Sequence, residues 1–196
     1  RIVDGNDGNV TVREPVPDGI SKPVGRSSFR ISAGPEANRD YGTHGALDVA
    51  VDVGTAALSV GSGTVIAVEN HSGKSGIQDK CGCKVKIRFN PPVKLPKVQG
   101  VQTSISEALY CHLSSIDVSV GASVTPGQKI GETGGGTDPS DQPCAGRTTG
   151  PHLHLALNGT GSDADRYGAY IAALTGGTTG DDRTGTGPNP WDLSSF

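Results

Sequence analysis

Turn-forming residues interrupt this chain every ten positions or so from Pro23 onward, and this spacing constrains the fold more than any other feature of the sequence. Gly, Pro, Asn and Asp end strands and form tight turns, whereas helices need longer uninterrupted stretches. The composition agrees, because the 196 residues include 30 Gly and 13 Pro and only 33% are hydrophobic. We therefore predict a mainly β domain built on an antiparallel β-sheet core with long loops.

Several segments have the composition of strands, and one of them alternates clearly. In Lys84–Phe89, apolar residues alternate with lysine and arginine, as in a half-buried antiparallel strand. The Pro-rich stretch Asn90–Pro96 is expected to be a loop after which the chain returns to pair with this strand. The predicted strands are Phe29–Ser32, Ala46–Val53, Gly63–Glu69, Lys84–Phe89, Ile105–Leu113, Gln128–Thr133 and His152–Asn158.

One helix is expected late in the chain. An apolar stripe recurs there with helical spacing, at Tyr167, Tyr170, Ile171 and Leu174. Ser162 is the expected N-cap, and the glycines at 176 and 177 are expected to end the helix. We predict a peripheral helix that covers one edge of the β domain.

Length, charge and hydropathy limit the organisation of the chain. Residues 1–22 are polar and are interpreted as an N-terminal arm or linker, and residues 23–196 as one domain. The net charge of −3 gives no basic footprint for nucleic acid. No apolar run approaches the roughly 20 residues needed to cross a bilayer. Because the chain begins at Arg1 and contains no methionine, we expect a processed protein or an excised fragment.

The four cysteines form an even set, which favours two disulfides and an oxidising compartment. A zinc site formed by the cysteines and free buried thiols are the alternatives, although a Cys-x-Cys spacing is tighter than the usual Cys-x2-Cys of zinc sites. If Lys84–Phe89 pairs with Ala108–His112, Cys83 lies close to Cys111. Cys81 is then left for Cys144, so the expected bridges are Cys83–Cys111 and Cys81–Cys144.

Four of the five histidines lie in three short segments. His44 stands four residues before Asp48, His112 lies in Leu-Tyr-Cys-His-Leu, and His152 and His154 lie in Gly-Pro-His-Leu-His-Leu. Imidazole is the commonest metal ligand and the side chain best suited to proton transfer near neutral pH. The clustering indicates a metal-centred active site.

Strand geometry explains how these side chains could meet. His152 and His154 are two residues apart, so in a strand they project from one face, and His44 and Asp48 share a face if their segment is extended. Two such strands side by side bring up to four ligands around one point. Catalytic zinc uses three protein ligands and a water, which leaves one histidine for proton transfer, and His112 is a further candidate for that role.

Taken together, these motifs resemble those of the lysostaphin-type zinc endopeptidases, which cleave peptide bonds in bacterial peptidoglycan. The resemblance runs from about Pro23 to Leu193, in the family's order. The matching segments are His44-Gly45-Ala46-Leu47-Asp48, Gly54-Thr55, Gly63-Thr64-Val65, Tyr110-Cys111-His112-Leu113, Gly127-Gln128-Lys129-Ile130-Gly131, Gly150-Pro151-His152-Leu153-His154 and Asn189-Pro190.

The resemblance implies a role for each residue. His44, Asp48 and His154 match the family's ligands to one zinc ion. His112 and His152 match its two unligated catalytic histidines, which deprotonate the attacking water and stabilise the oxyanion or protonate the leaving amine. The resemblance also implies an open metal groove, peptidoglycan peptides as the partner, and an extracellular, periplasmic or cell-wall location. Nucleic acid is not an expected partner, because the net charge is −3.

Two alternatives stay open at this point. The chain could be the peptidase module of a phage tail or secretion machine, within a virion or envelope assembly, or a non-catalytic homologue that binds cell wall or activates an amidase. Three departures from the family pattern concern substrate preference, namely Leu155 and Ala156 after the second histidine, the loosely matching residues 33–39, and the long stretch between Gly131 and Gly150. The cleaved bond stays open as well, since Gly-Gly bridges, D-Ala–diaminopimelate links and Gly-rich proteins all fit.

Overall fold

The structure is a computed structural model that describes residues 8–39, 42–71, 80–136, 144, 146 and 148–176. Within this part of the chain, thirteen strands precede one helix. The strands are β1 (Asn9–Thr11), β2 (Ser28–Ala33), β3 (Asn38–Arg39), β4 (Gly42–Thr43), β5 (Leu47–Ala50), β6 (Ala56–Leu58), β7 (Gly63–Glu69), β8 (Lys84–Lys94), β9 (Ser104–Cys111), β10 (Leu113–Ile116), β11 (Ser123–Val124), β12 (Lys129–Thr133) and β13 (Leu153–Gly159). The helix is α1 (Asp163–Thr175).

A large antiparallel sheet organises the molecule. Its eight strands follow the order β1-β2-β5-β13-β9-β8-β7-β11, and every neighbouring pair is antiparallel. A second sheet has the order β10-β12-β6, and β3 and β4 form a short hairpin. The mainly β, antiparallel fold predicted from the sequence is confirmed.

The alternating pattern of β8 has the expected consequence, because Val85, Ile87 and Phe89 are buried. The strand is longer than predicted, since it continues through the Pro-rich stretch to Lys94. The expectation of a loop from residue 90 is therefore wrong. The register with β9 shifts between Arg88 and Val93, so the two prolines fall where the ladder is interrupted and their missing N–H groups cost no pairing.

The strand predicted over Ile105–Leu113 is split by His112. This residue has a φ of 62°, in the left-handed region that non-glycine residues rarely adopt. β9 ends just before it in the large sheet, and β10 begins just after it in the second sheet. The left-handed residue therefore turns the chain from one sheet into the other and breaks the strand alternation at this position.

The helix follows the sequence prediction at both ends. The Ser162 side chain accepts a hydrogen bond from the Asp165 amide, and Gly176 ends the helix with a φ of 69°. The four residues of the predicted apolar stripe are all buried. Every residue from Arg166 to Thr175 is buried, whereas a single apolar stripe predicts burial of one helix face. The opposite face of the helix is therefore covered by neighbouring segments as well.

Part of that cover comes from the segment interpreted as an N-terminal arm. β1 pairs with β2 at one edge of the large sheet, Val10 and Val12 are buried, and the Arg13 amide donates to the Leu174 carbonyl at 2.8 Å. Residues 8–13 thus extend the sheet and pack on the helix, while a domain division at residue 22 stays a prediction. Among the described residues, no helix has both the length and the hydropathy to cross a bilayer.

All four cysteines form disulfides, but the predicted pairing is wrong. The bridges are Cys81–Cys111 and Cys83–Cys144. Val85 lies opposite Tyr110, and both side chains point into the core together with Cys83. Cys111 follows Tyr110 and therefore projects from the other face of the sheet, where Cys83 cannot reach it.

Candidate metal centre

Asp48 and His154 are brought together by strand pairing. They lie directly opposite each other on β5 and β13, so their side chains project from the same face of the sheet. His154 Nδ1 is 3.1 Å from Asp48 Oδ1. Leu153 and Leu155 flank the histidine and are fully buried, so the strand alternation fixes which face carries the polar side chains.

His44 comes from the short connection between β4 and β5. Its amide donates to the Ala37 carbonyl at 2.9 Å, and its Nδ1 donates to the Gly34 carbonyl at 3.0 Å. A carbonyl can only accept, so this bond places the proton on Nδ1 and leaves the Nε2 lone pair available. Nε2 lies 3.1 Å from Asp48 Oδ1 and 3.2 Å from His154 Nδ1.

Two imidazole nitrogens and one carboxylate oxygen therefore form a triangle with sides of 3.1, 3.1 and 3.2 Å. Zinc bonds of about 2.0–2.1 Å in a tetrahedral arrangement require ligand atoms about 3.3 Å apart. The triangle is close to this size, and the donor set of two His and one carboxylate matches that of catalytic zinc sites. The three side chains could hold one metal ion with a coordination position left open.

Asp48 is ionised in this setting. Burial raises the pKa of its carboxyl, but the neighbouring imidazoles of His154, His44 and His152 outweigh this effect and hold the pKa well below its usual range. The second oxygen, Oδ2, accepts a hydrogen bond from Arg39 at 2.7 Å. Oδ1 is thereby left to face the two histidines as a single ligand atom.

His112 and His152 lie beside this triangle. Their rings meet edge to face with centroids 4.7 Å apart, and His152 Nε2 is 3.7 Å from Asp48 Oδ1. His152 Nδ1 donates to the Gly150 carbonyl at 2.9 Å, so its Nε2 is the acceptor atom. All five residues predicted from the sequence thus lie around one site. Their division into metal ligands and catalytic groups stays a prediction.

The backbone of His112 is held from both sides. Its amide donates to the Cys81 carbonyl at 2.8 Å, and its carbonyl accepts from the Gly134 amide at 2.8 Å. These bonds stabilise the left-handed conformation, which costs about 1–2 kcal/mol for a residue with a Cβ. The Cys81–Cys111 disulfide lies next to the same residue. The bridge therefore anchors the chain immediately before the turn at His112.

The five side chains open into a groove of about 730 Å³. Thr148 and Thr149, from the segment just before His152, line it as well. Lys80, Lys84 and Leu109 are among the other lining residues. A groove open to solvent on one side of a metal centre is suited to an extended peptide.

Sequence patterns did not reveal the part that Tyr167 plays at this site. Its hydroxyl donates to the Gly45 carbonyl at 2.7 Å and accepts from the Leu157 amide at 2.8 Å. Burial raises the pKa of this hydroxyl far above its ordinary value, so it stays protonated and able to donate. Because Gly45 is 122 residues away in the chain, helical periodicity identified Tyr167 only as an apolar core residue.

Comparison with known proteins identifies the sequence pattern. The model of peptidase family M23 matches residues 42–166, more than half of the chain, and this range includes all five residues discussed above. The comparison with curated protein sequences gives no significant match.

Solved structures share the fold. A zinc-containing peptidase from Vibrio cholerae is 25% identical over 72% of the chain, with a TM-score of 0.51, and the chain spans 39% of that protein. The antimicrobial peptidase lysostaphin from Staphylococcus simulans is 21% identical over 89% of the chain, also with a TM-score of 0.51, and the chain spans 61% of it.

Proposed function

The chain belongs to peptidase family M23, and from this premise we propose that it is a zinc-dependent endopeptidase that hydrolyses peptide bonds in bacterial peptidoglycan. The family predicted from the motifs is confirmed. The observation that carries the proposal is the triangle of His44, Asp48 and His154 beside two further histidines in one groove. The zinc content of the Vibrio cholerae peptidase supports the choice of metal.

The residues of the triangle fit zinc by donor type and spacing. His44 Nε2, Asp48 Oδ1 and His154 Nδ1 would hold the ion, and the Gly34 carbonyl keeps His44 in the tautomer that ligation requires. When bound, zinc polarises a carbonyl and lowers the pKa of a water toward neutrality.

The two remaining histidines, His112 and His152, have different roles in proton transfer. His152 carries its proton on Nδ1, so its Nε2 accepts a proton from the attacking water. His112 lies beside it in the groove, where it donates a hydrogen bond to the oxyanion or protonates the leaving amine. The edge-to-face contact keeps the two imidazoles side by side in the groove.

The two disulfides support a place of action outside the reducing cytoplasm, at the cell wall or in the periplasm. That location is where peptidoglycan peptides are found. The sequence alternatives of a phage-tail or secretion-machine module fit the same chemistry and stay predictions. The non-catalytic alternative is disfavoured, because all five side chains are retained and meet in one groove.

The test compares purified protein and variants on isolated peptidoglycan, with zinc measured by elemental analysis. We expect hydrolysis that a chelator abolishes and zinc restores. His154→Ala should lose zinc and activity together, whereas His152→Ala should keep zinc and lose about 10²–10⁴ in turnover.

His71→Ala is the matched control, since His71 does not line the groove. It should keep both zinc and activity. Full zinc occupancy in His154→Ala would contradict the ligand assignment. Binding of peptidoglycan by a zinc-loaded protein that releases no fragments would instead identify a non-catalytic homologue.

A further inference from the structure

One row of side chains crosses the open face of the large sheet from the metal centre to a lysine. Asp48 lies opposite His154, and His154 lies opposite Cys111. Continuing the β8–β9 register one residue beyond Val85 and Tyr110 places Lys84 opposite Cys111. The row therefore runs across four neighbouring strands from the candidate ligands to Lys84, and it continues to Glu69 on β7, which lies opposite Lys84.

The charges along the groove are unequal. Its described lining includes three cationic side chains, Arg39, Lys80 and Lys84, but one carboxylate, that of Asp48. Arg39 is held by that carboxylate at 2.7 Å, which leaves the two lysines as the other cationic side chains of the described lining. This is a local excess in a chain whose net charge is −3. A positive groove attracts anionic substrate and raises its local concentration.

Lys84 is already engaged by an ion pair that a substrate can replace. Its Nζ lies 3.0 Å from Glu69 Oε2, on the neighbouring strand β7. The Glu69 side chain is 47% exposed, so the pair faces solvent. Exposed pairs of this kind contribute little to stability. A substrate carboxylate can therefore take the place of Glu69 at small cost.

We infer that Lys84, assisted by Lys80, forms a carboxylate-binding subsite that selects acidic cell-wall peptides over neutral, all-glycine segments. The inference rests on the proposed function and names its substrate class. His154 and Lys84 are two strands apart, which corresponds to about 10 Å. An extended peptide lying across the strands covers this distance in about three residues. The subsite therefore selects a carboxylate roughly three residues from the cleaved bond.

The test uses two cross-linked peptidoglycan peptides of identical sequence, one with free carboxylates and one with those carboxylates converted to carboxamides. Hydrolysis by the zinc-loaded protein gives KM and kcat, and calorimetry of the cleaved products gives affinity without turnover. The variants are Lys84→Gln, Lys84→Glu and Lys80→Gln. Lys129→Gln is the matched control, because Lys129 also lies on a strand and pairs with a carboxylate but does not line the groove.

We expect Lys84→Gln to raise KM and Kd for the free-carboxylate peptide by about threefold to tenfold and to leave the carboxamide peptide within twofold. Lys84→Glu should raise KM and Kd for the free-carboxylate peptide further, again with little change for the carboxamide peptide. Added salt should reduce the preference of the wild type for the free-carboxylate peptide. The control should change neither peptide. Equal effects on both peptides, or no effect of either lysine, would overturn the subsite.

The two proposals fail in different ways. If the protein binds the free-carboxylate product through Lys84 but cleaves neither peptide, the endopeptidase function fails and the subsite stands. If it cleaves both peptides equally well and Lys84→Gln changes nothing, the function stands and the subsite falls. If Lys84→Gln still preferred the free-carboxylate peptide over the carboxamide peptide, another group would bind the carboxylate. That result would also overturn the proposed subsite.

Discussion

The hydroxyl of Tyr167 joins two segments that carry candidate zinc ligands. It bridges the carbonyl of Gly45, next to His44, and the amide of Leu157, on the strand of His154. In Tyr167→Phe both backbone groups lose a buried partner, which costs about 1–3 kcal/mol of unfolding free energy. We also expect zinc affinity to fall, because the ligand segments are no longer tied together. Denaturant unfolding and zinc titration measure the two effects.

Tyr170→Phe separates this role from general destabilisation. The Tyr170 hydroxyl is buried in the same helix but donates to the Ser21 carbonyl at 2.7 Å, in a segment without candidate ligands. We expect this variant to be less stable and to bind zinc as the wild type does. If both variants weakened zinc binding equally at matched stability, Tyr167 would have no specific positioning role.

At the scale of elements, both disulfides should stabilise the fold, but only one should also affect catalysis. The Cys81–Cys111 bridge ends next to His112, whose amide also donates to the Cys81 carbonyl. Replacing either bridge by two alanines should cost about 2–4 kcal/mol of unfolding free energy. Only the loss of Cys81–Cys111 should also lower kcat, since it releases the turn that holds the imidazole.

Peptide mapping under non-reducing conditions checks the pairing itself. We expect a fragment that joins Cys81 to Cys111 and another that joins Cys83 to Cys144. A fragment joining Cys83 to Cys111 would contradict the face assignment of β8 and β9. Equal loss of kcat from both double variants, at matched stability, would contradict the link to His112.

The pairing of β8 with β9 also predicts a small dependence of stability on pH. Glu107 lies opposite Arg88, and hydrogen bonds from Arg88 and Lys86 hold the pKa of its carboxyl below the usual value. A lowered pKa means that the ionised form stabilises the folded state above the unfolded pKa of about 4.3, and that this contribution is lost as pH falls through the folded pKa.

The variant Glu107→Gln tests the direction in which this contribution to stability changes with pH. The side chain is 20% exposed, so we expect Glu107→Gln to cost about 0.2–1 kcal/mol at pH 7 and less than that at pH 3. The measurement is the difference in unfolding free energy from wild type at each pH. A difference that grew toward pH 3 would contradict the assigned pKa direction.

At the scale of the whole molecule, local patterns predicted more than long-range geometry did. The strand β7 has the predicted bounds, because its composition and flanking turns are local signals. The disulfide pairing failed, because the side chains of Cys83 and Cys111 project from different faces once register is set. The part played by Tyr167 could not be predicted either, since its acceptor is 122 residues away and only the folded chain brings the two together.

Metal binding should stabilise the entire fold, because the candidate ligands come together only in the folded chain. His44 and His154 are 110 residues apart, so the unfolded chain does not present them as a site. Zinc at 100–1,000 times its Kd then adds about 2.7–4.1 kcal/mol to the unfolding free energy. For a chain of this length we expect a chelator to lower Tm by roughly 5–15 °C.

The variants decide whether that shift comes from the proposed ligands. Calorimetry with and without chelator should show the shift in wild type and in His152→Ala, which keeps the three ligand atoms. His154→Ala should have the same Tm in both conditions, because it lacks one corner of the triangle. A chelator shift that persisted in His154→Ala would place the stabilising metal elsewhere. A wild type without any shift would mean that the folded protein binds zinc no more tightly than the unfolded chain does.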